Sequence, residues 1–338
     1  MGDQSCRTGT SPASDSRPPG KSPWWWLRLA TVLSILTGIV CLTGPHRLWE
    51  TLRGVQWFWV AAAMPIAFAA IAADALKLGI LMVPHGYRGG WGSIFRTCLV
   101  VNFASLFLPG TVGGGAIAWY RLSREDGLRA QAFAALSVNT LLKIAATCST
   151  ALVALTFDAA MGTGPRGLIL WLAIIGMSPL LLLGVFLRTG HRMSLARAYQ
   201  RLGDWKWMPR RAYSAIGNIL QAFESYKTMP GTVCWALVLT FARKLIENVC
   251  FLMAIWAVGA DASFLRVLWV MCLVEVAGMI PLTLGGFGAT QVTYYALFVS
   301  LGMSESCALA SNIISWVAFL PVYLAGAGVL LVETLHRR

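Results

Sequence analysis

The sequence predicts an all-α fold: a polytopic helical membrane protein with about six full spans plus two re-entrant hairpins arranged as an inverted repeat. Three observations predict it. Of the 338 residues, 57% are hydrophobic and only 12% charged, with a mean hydropathy of +0.66; an ordinary soluble domain carries about 25% charge. Several runs reach the roughly 20 apolar residues that cross a bilayer core of about 30 Å. Two segments, Pro109-Gly110-Thr111-Val112-Gly113-Gly114 and Pro281-Leu282-Thr283-Leu284-Gly285-Gly286, share the pattern P-x-T-x-G-G, and each follows an apolar run.

The elements follow in chain order. Residues 1–23, rich in Ser, Pro and Gly, read as a disordered tail. Trp24, Trp25 and Trp26 mark a membrane interface, where indole rings settle. The run 24–43 is longer than a signal-peptide core and lacks a small-x-small site, so it reads as a retained span. Further spans are predicted at 57–83, 132–156, 167–187, 232–258 and 307–332. The runs 91–108 and 265–284 lead into the two proline–glycine segments. Such a segment breaks a helix and leaves backbone groups that lipid cannot satisfy, so it must face protein or water. The domain reading is a first repeat at 24–156 with its hairpin at 91–120. A span and a basic loop follow within 157–231, and the second repeat is completed at 232–338 with its hairpin at 265–303.

Charge sets the orientation. The net charge is +13. In a soluble chain that invites nucleic acid, but here the placement argues against it. Residues 188–230 hold Arg188, Arg192, Arg197, Arg201, Lys206, Arg210, Arg211 and Lys227 against Asp204 and Glu224. The positive-inside rule makes this loop cytoplasmic, facing anionic headgroups. Counting outward puts 84–90 and the loop 117–129, with Arg121, Arg124 and Arg129, inside as well. Both termini then fall in the cytoplasm, in what reads as a bacterial inner membrane. Within the basic loop, Ile216, Ile219, Leu220 and Phe223 share a helical face. They fit an amphipathic helix on the inner surface or an ordinary connecting helix with a solvated charged side.

Paired breaks in opposite halves point to a transport site. Small residues also serve close helix packing, and that plainer reading stands beside it. If half-helices begin after Gly115 and Gly288, their N–H groups and dipoles suit an anion such as a lipid phosphate. Pro109, Thr111, Gly113, Gly114 and Gly115 on one side, and Pro281, Thr283, Gly285, Gly286, Gly288 and Gln291 on the other, are the candidate binding residues. The two threonines would donate to the headgroup or cap the broken backbone.

Ionisable residues inside spans face a cavity or a partner. Asp74 and Lys77, three apart, are expected to pair on one helix. Arg243 and Glu247 are expected to pair four apart, leaving Lys244 on another face. Lys143 has no acidic neighbour at helical spacing and is a candidate headgroup contact, with Lys244 and Arg121. Glu275 is either a proton carrier or the neutralising partner of Lys143; we favour the pairing. The eight cysteines show no metal or disulfide spacing and read as packing residues. No cofactor or metal is expected.

The residues Asn102 to Leu122, NFASLFLPGTVGGGAIAWYRL, resemble the LPG-x-x-GG segment of the lysylphosphatidylglycerol synthase transmembrane-region family. Ile280 to Tyr295, IPLTLGGFGATQVTYY, resembles that family's second signature, P-x-x-x-GG-x-G. The resemblance covers roughly residues 24–332. It implies a lipid-moving membrane protein without the aminoacyl-transferase domain of the synthase. Where the family often carries an acidic residue and then an arginine after the first Gly-Gly, this chain has Gly115 and Ala118; where the second motif often ends in Arg-Glu, it has Thr290 and Gln291.

The reading is therefore a lipid flippase or transporter for an anionic or polyprenyl-linked lipid, with membrane lipids as partners; self-association into a homo-oligomer stays open. No catalytic motif is found, so no enzyme is expected. The alternatives are a membrane enzyme on a lipid-linked substrate, with Glu275 or Asp74 as acid or base, and a non-catalytic subunit of a lipid-synthesis complex.

Overall fold

The computed structural model describes residues 45–108, 110–161, 221–222, 224–226, 229–279 and 288–336. The tail 1–23, the spans 24–43 and 167–187, the basic stretch 188–220, Pro109 and the motif Pro281–Gly286 lie outside the described residues.

Among the described residues the chain is helical, with no strand. A short α1 (Pro45–Arg53) precedes α2 (Trp57–Met82). Then come α3 (Gly90–Ser105), α4 (Gly110–Asp126) and α5 (Arg129–Ala160). The second half supplies α6 (Pro230–Ala257), α7 (Phe264–Met279), α8 (Ala289–Ser300) and α9 (Glu305–Leu335). Three stretches are long and apolar enough to cross a membrane: Trp57–His85, Arg129–Ala160 and Glu305–Leu335. They coincide with three of the predicted spans. Helix α6 has 28 residues, about 42 Å at 1.5 Å per residue, but carries Arg243, Lys244 and Glu247 at its middle. Large apolar side chains such as Phe58, Trp235 and Leu324 stay exposed on the outer surface, as lipid contact requires.

Helices α2 and α6 share the most extensive contact and run antiparallel. Gln56 N–H donates to the Ala257 carbonyl at 2.8 Å, and the Cys250 thiol lies 3.6 Å from the Ala63 carbonyl. Fully buried Ala63, Ala67 and Ala70 let the two backbones approach. Around this pair the packing is reciprocal. Helix α3 of the first half lies on α9 of the second, and α7 of the second half lies on α5 of the first. Each half also folds a hairpin, α3 against α4 and α7 against α8.

Two predicted boundaries are corrected. The first break was expected to run from Pro109 to Gly115. Instead α4 begins at Gly110, so Gly113, Gly114 and Gly115 sit inside the helix. At the first two the missing side chain serves packing: a Cβ at Gly113 would meet the Leu108 side chain, and one at Gly114 would touch Val101 at 3.4 Å and Ser105 at 3.7 Å, whereas one at Gly115 would meet nothing within 4 Å. A helix inside hydrocarbon keeps its own hydrogen bonds, so glycine alone does not end it. The loop expected at 117–129 is likewise helical to Asp126, which puts Arg121 and Arg124 on α4.

Candidate functional site

Helix α2 places Asp74 and Lys77 on one face, and their side chains pair at 2.6 Å, as the three-residue spacing predicts. Antiparallel α6 brings Arg243 to the same carboxylate, with Nε 3.1 Å from Asp74 Oδ2. The far side of that guanidinium reaches Glu247 at 3.3 Å, one turn along α6. Lys244 lies in contact with Glu275 on α7 and 3.9 Å from Glu247. From α5, Lys143 meets the other oxygen of Glu275 at 2.9 Å, and the Thr147 hydroxyl donates to Glu275 Oε2 at 2.9 Å. Glu275 is thus the neutralising partner of Lys143, the option favoured from sequence.

Four helices, α2, α5, α6 and α7, therefore join seven ionised groups into one network. Three carboxylates (Asp74, Glu247, Glu275) face four cations (Lys77, Lys143, Arg243, Lys244), leaving one positive charge in excess. Burying charge is tolerable only when partners replace water, and each carboxylate here touches at least two cations.

The network forms one wall of a cavity of about 280 Å³. Lys143, Arg243, Lys244, Glu247 and Glu275 all line it. Lys143 is the most open of the paired cations, with 33% of its side chain accessible. Asn102 of α3, Thr290, Gln291 and Tyr294 of α8, and Asn312 and Ser315 of α9 supply further polar lining. Phe251, Trp316, Phe319 and Tyr323 supply an aromatic side. Seven helices from both halves thus meet around one cavity with a charged wall and an apolar, aromatic side.

Helix α8 starts at Ala289, directly after Gly288, where the sequence reading put a half-helix. Gly288 has φ +95°, a conformation that favours glycine. Its N–H donates to Gln291 Oε1 at 2.7 Å, and the Thr290 hydroxyl donates to the same oxygen at 2.9 Å. Gln291 therefore caps the helix start while lining the cavity.

Of the predicted site residues, Lys143, Lys244, Glu275 and Gln291 line the cavity and Gly288 adjoins it through Gln291. Gly113, Gly114, Gly115 and Arg121 are not among its lining residues. Thr111 lies in the first turn of α4. Pro109, Pro281, Thr283, Gly285 and Gly286 lie outside the described residues. Arg121 instead forms a two-pronged pair with Glu333 of α9, NH1 and NH2 donating at 2.7 and 2.6 Å, and its Nε donates to Thr97 at 3.3 Å. This position clasps α4 to α9. Glu333→Gln is expected to cost about 1–3 kcal/mol. Arg121→Lys should lose a similar amount, because an ammonium cannot copy the fork. Thermal unfolding of the purified variants checks both.

The sequence reading missed Asn248, Asn312, Ser315 and the aromatic side. A signal was available: Arg243, Lys244, Glu247 and Asn248 make a polar stripe one turn long on an apolar helix. Asn312, Ser315, Trp316, Phe319 and Tyr323 repeat at helical spacing along one face of α9.

These features define a polytopic helical membrane protein with a charge-walled cavity lined by helices from both halves of the chain. Residues 25–326 match the family described as the lysylphosphatidylglycerol synthase TM region, and the chain belongs to that family. It is also 22% identical over 310 residues to a UPF0104 membrane protein of Methanothermobacter thermautotrophicus, an alignment covering 82% of this chain and 86% of that protein.

Proposed function

We propose that this protein carries a lipid with a charged headgroup, anionic or polyprenyl-linked, between the leaflets of the cytoplasmic membrane, with both termini cytoplasmic. The headgroup enters the central cavity while the acyl chains stay in the bilayer. The observation that carries this reading is a half-open cavity with one charged wall of net charge +1, lined by helices of both halves. Antiparallel α2 and α6, with the reciprocal α3–α9 and α7–α5 packing, support an inverted repeat whose halves rock about the cavity. In it, α3–α4 and α7–α8 are the two re-entrant hairpins. Asp74 and Glu275, the carboxylates an enzyme would use as acid or base, are each already held by two cations, which supports transport over bond-breaking chemistry.

The test is movement of fluorescent anionic lipid in proteoliposomes, scored by dithionite quenching of the outer leaflet. The protein is expected to accelerate exchange over empty vesicles. Lys143→Met should slow it by about tenfold, the loss of one charge-assisted contact. The fold should survive, because Glu275 keeps Lys244 and Thr147. Exchange no faster than in empty vesicles would overturn the reading.

A further inference from the structure

We propose that the contact of α9 with α3 at Gly326 is a closed gate between the central cavity and a second compartment, and that Arg121 is its latch. The gate deepens the transport reading, in which rocking halves must seal the cavity on one side at a time.

The second compartment is a crevice of about 640 Å³, bounded by Val100 and Ala104 of α3, Ile117 of α4, and Leu330 and Thr334 of α9. Among the described residues none lines both it and the cavity. The two spaces nevertheless share the same helices. On α3, Asn102 faces the cavity, while Val100 and Ala104, one turn apart, face the crevice. On α9 the cavity lining ends at Tyr323 and the crevice lining begins at Leu330, about 10 Å further along. Gly326 stands between them, buried against α3. A Cβ there would lie 2.9 Å from both the Leu99 carbonyl carbon and Phe103 Cβ, so the helices touch with no side chain of α9 in the seam. What divides cavity from crevice is this one backbone contact.

Arg121 holds that seam shut. From α4 its Nε reaches Thr97 of α3, and its two terminal nitrogens reach Glu333 of α9, so one guanidinium ties all three helices of the crevice. Both partners border the crevice, with 16% and 26% of their side chains accessible. When they part, each is left facing an open space, which costs less than stranding a charge inside the central network. Parting also leaves the α3–α4 hairpin whole, because Arg121 keeps Thr97 and Gly114 stays seated on Val101. The hairpin joins its neighbours through Gly90 (φ +50°) and Gly127 (φ +68°), with open space around both. Turns of this kind serve as hinges, and the hairpin tilts on them away from α9.

The test reads how fast a membrane-impermeant sulfonated maleimide reaches chosen positions of the full chain in membrane vesicles of both orientations. Peptide mass identifies the modified positions. Thr334→Cys puts a thiol in the crevice and shows which face of the membrane the crevice opens to. Asn312→Cys puts one in the cavity. From the crevice face, Asn312→Cys is expected to react at least about tenfold more slowly than Thr334→Cys, in proportion to the fraction of time the gate stands open. Adding Glu333→Gln should raise the Asn312→Cys rate from that face about tenfold, the effect of weakening one charge-assisted pair. Gly326→Ala wedges α9 from α3 by sterics alone and should do the same, whereas Gly328→Ala should not. The swap Arg121→Glu/Glu333→Arg should restore slow labelling. Native Cys250 and Cys272, both 0% exposed, should stay unreactive throughout and so report an intact fold. Equal rates for Asn312→Cys and Thr334→Cys in the otherwise unaltered protein overturn the gate, whether or not any further variant folds. An unchanged rate in both Glu333→Gln and Gly326→Ala overturns it too. A rise with Gly326→Ala but not with Glu333→Gln overturns the latch and keeps the gate. A rise of the same size from both faces, or one accompanied by labelling of Cys272, marks general loosening and overturns both. No lipid takes part in these measurements. A working gate without lipid exchange in proteoliposomes sinks the transport reading and leaves the gate standing; exchange without a gate does the reverse.

Discussion

Glu275→Leu is expected to destabilise the protein by about 3–5 kcal/mol, the range for removing one partner from a buried ion pair. The carboxylate holds Lys143 at 2.9 Å, accepts from Thr147 at 2.9 Å and contacts Lys244, so its loss strands two cations and a hydroxyl together. The excess charge of the network rises from one to two. The site cannot relax by exposing Lys244, which is 4% exposed and held between α6 and α7. Glu275→Gln keeps a hydrogen-bond acceptor and should cost less than leucine. The double variant Glu275→Leu/Lys244→Met removes both partners and should recover more than half of the loss, since a well-packed apolar pair is often as stable as a buried ionic one. Thermal unfolding of detergent-purified protein, followed by tryptophan fluorescence, reads all three. An unchanged midpoint for Glu275→Leu would mean that the network does not hold α5, α6 and α7 together.

Gly326→Leu is expected to be comparably severe, for a steric reason. Helix α9 passes so close to α3 here that a Cβ on Gly326 would meet the Leu99 carbonyl oxygen. It would also lie 2.9 Å from the Leu99 carbonyl carbon and 2.9 Å from Phe103 Cβ. Two of these atoms are main chain and the third is a Cβ tied directly to it, so no rotamer change relieves the clash and the helices must move apart. Even Gly326→Ala should cost about 1–3 kcal/mol, the usual penalty for overpacking. Gly328, two residues along the same helix, is the control. A Cβ there meets nothing within 4 Å, and Gly328→Ala should be neutral or gain up to about 1 kcal/mol from helix propensity. Equal effects at the two positions would show that the close approach of α3 and α9 is not what the glycine serves.

Much of this was legible before any coordinates. Apolar runs located α2, α5, α6 and α9, because membrane helices announce themselves by length and composition alone. Pairs within one helix, Asp74–Lys77 and Arg243–Glu247, follow from spacing. Lys143 and Glu275 were matched across 132 positions of chain by the same physics, since a lone charge in hydrocarbon must find a partner. Local backbone chemistry placed the start of α8 after Gly288. The failures have a common cause. Gly113 to Gly115 were read as a break because they follow Pro109 in a P-x-T-x-G-G pattern, whereas the helix runs through them from Gly110, and at Gly113 and Gly114 the missing side chain admits a neighbour. The Arg121–Glu333 pair was not foreseen, because Glu333 comes from the far end of the chain. Gly326 carries no local signature, because its requirement is set by whichever carbonyl lies opposite. The aromatic side of the cavity shows in the sequence only as the helical spacing of Trp316, Phe319 and Tyr323, and spacing along one helix does not reveal that Phe251 of α6 joins them.

The clasp between Arg121 and Glu333 joins residues 212 positions apart. At roughly 5–20 residues synthesised per second, its arginine waits about 10–40 s for its glutamate to leave the ribosome. Helix α3 waits as long for its bed on α9, and Lys143 has no counter-ion until α7 arrives. The first half therefore enters the bilayer with its mating surfaces bare, and it completes itself only when the last helix is delivered. Premature termination anywhere before α9 should leave a product that inserts but never locks, and that quality-control proteases of the membrane can recognise by its unmated charges.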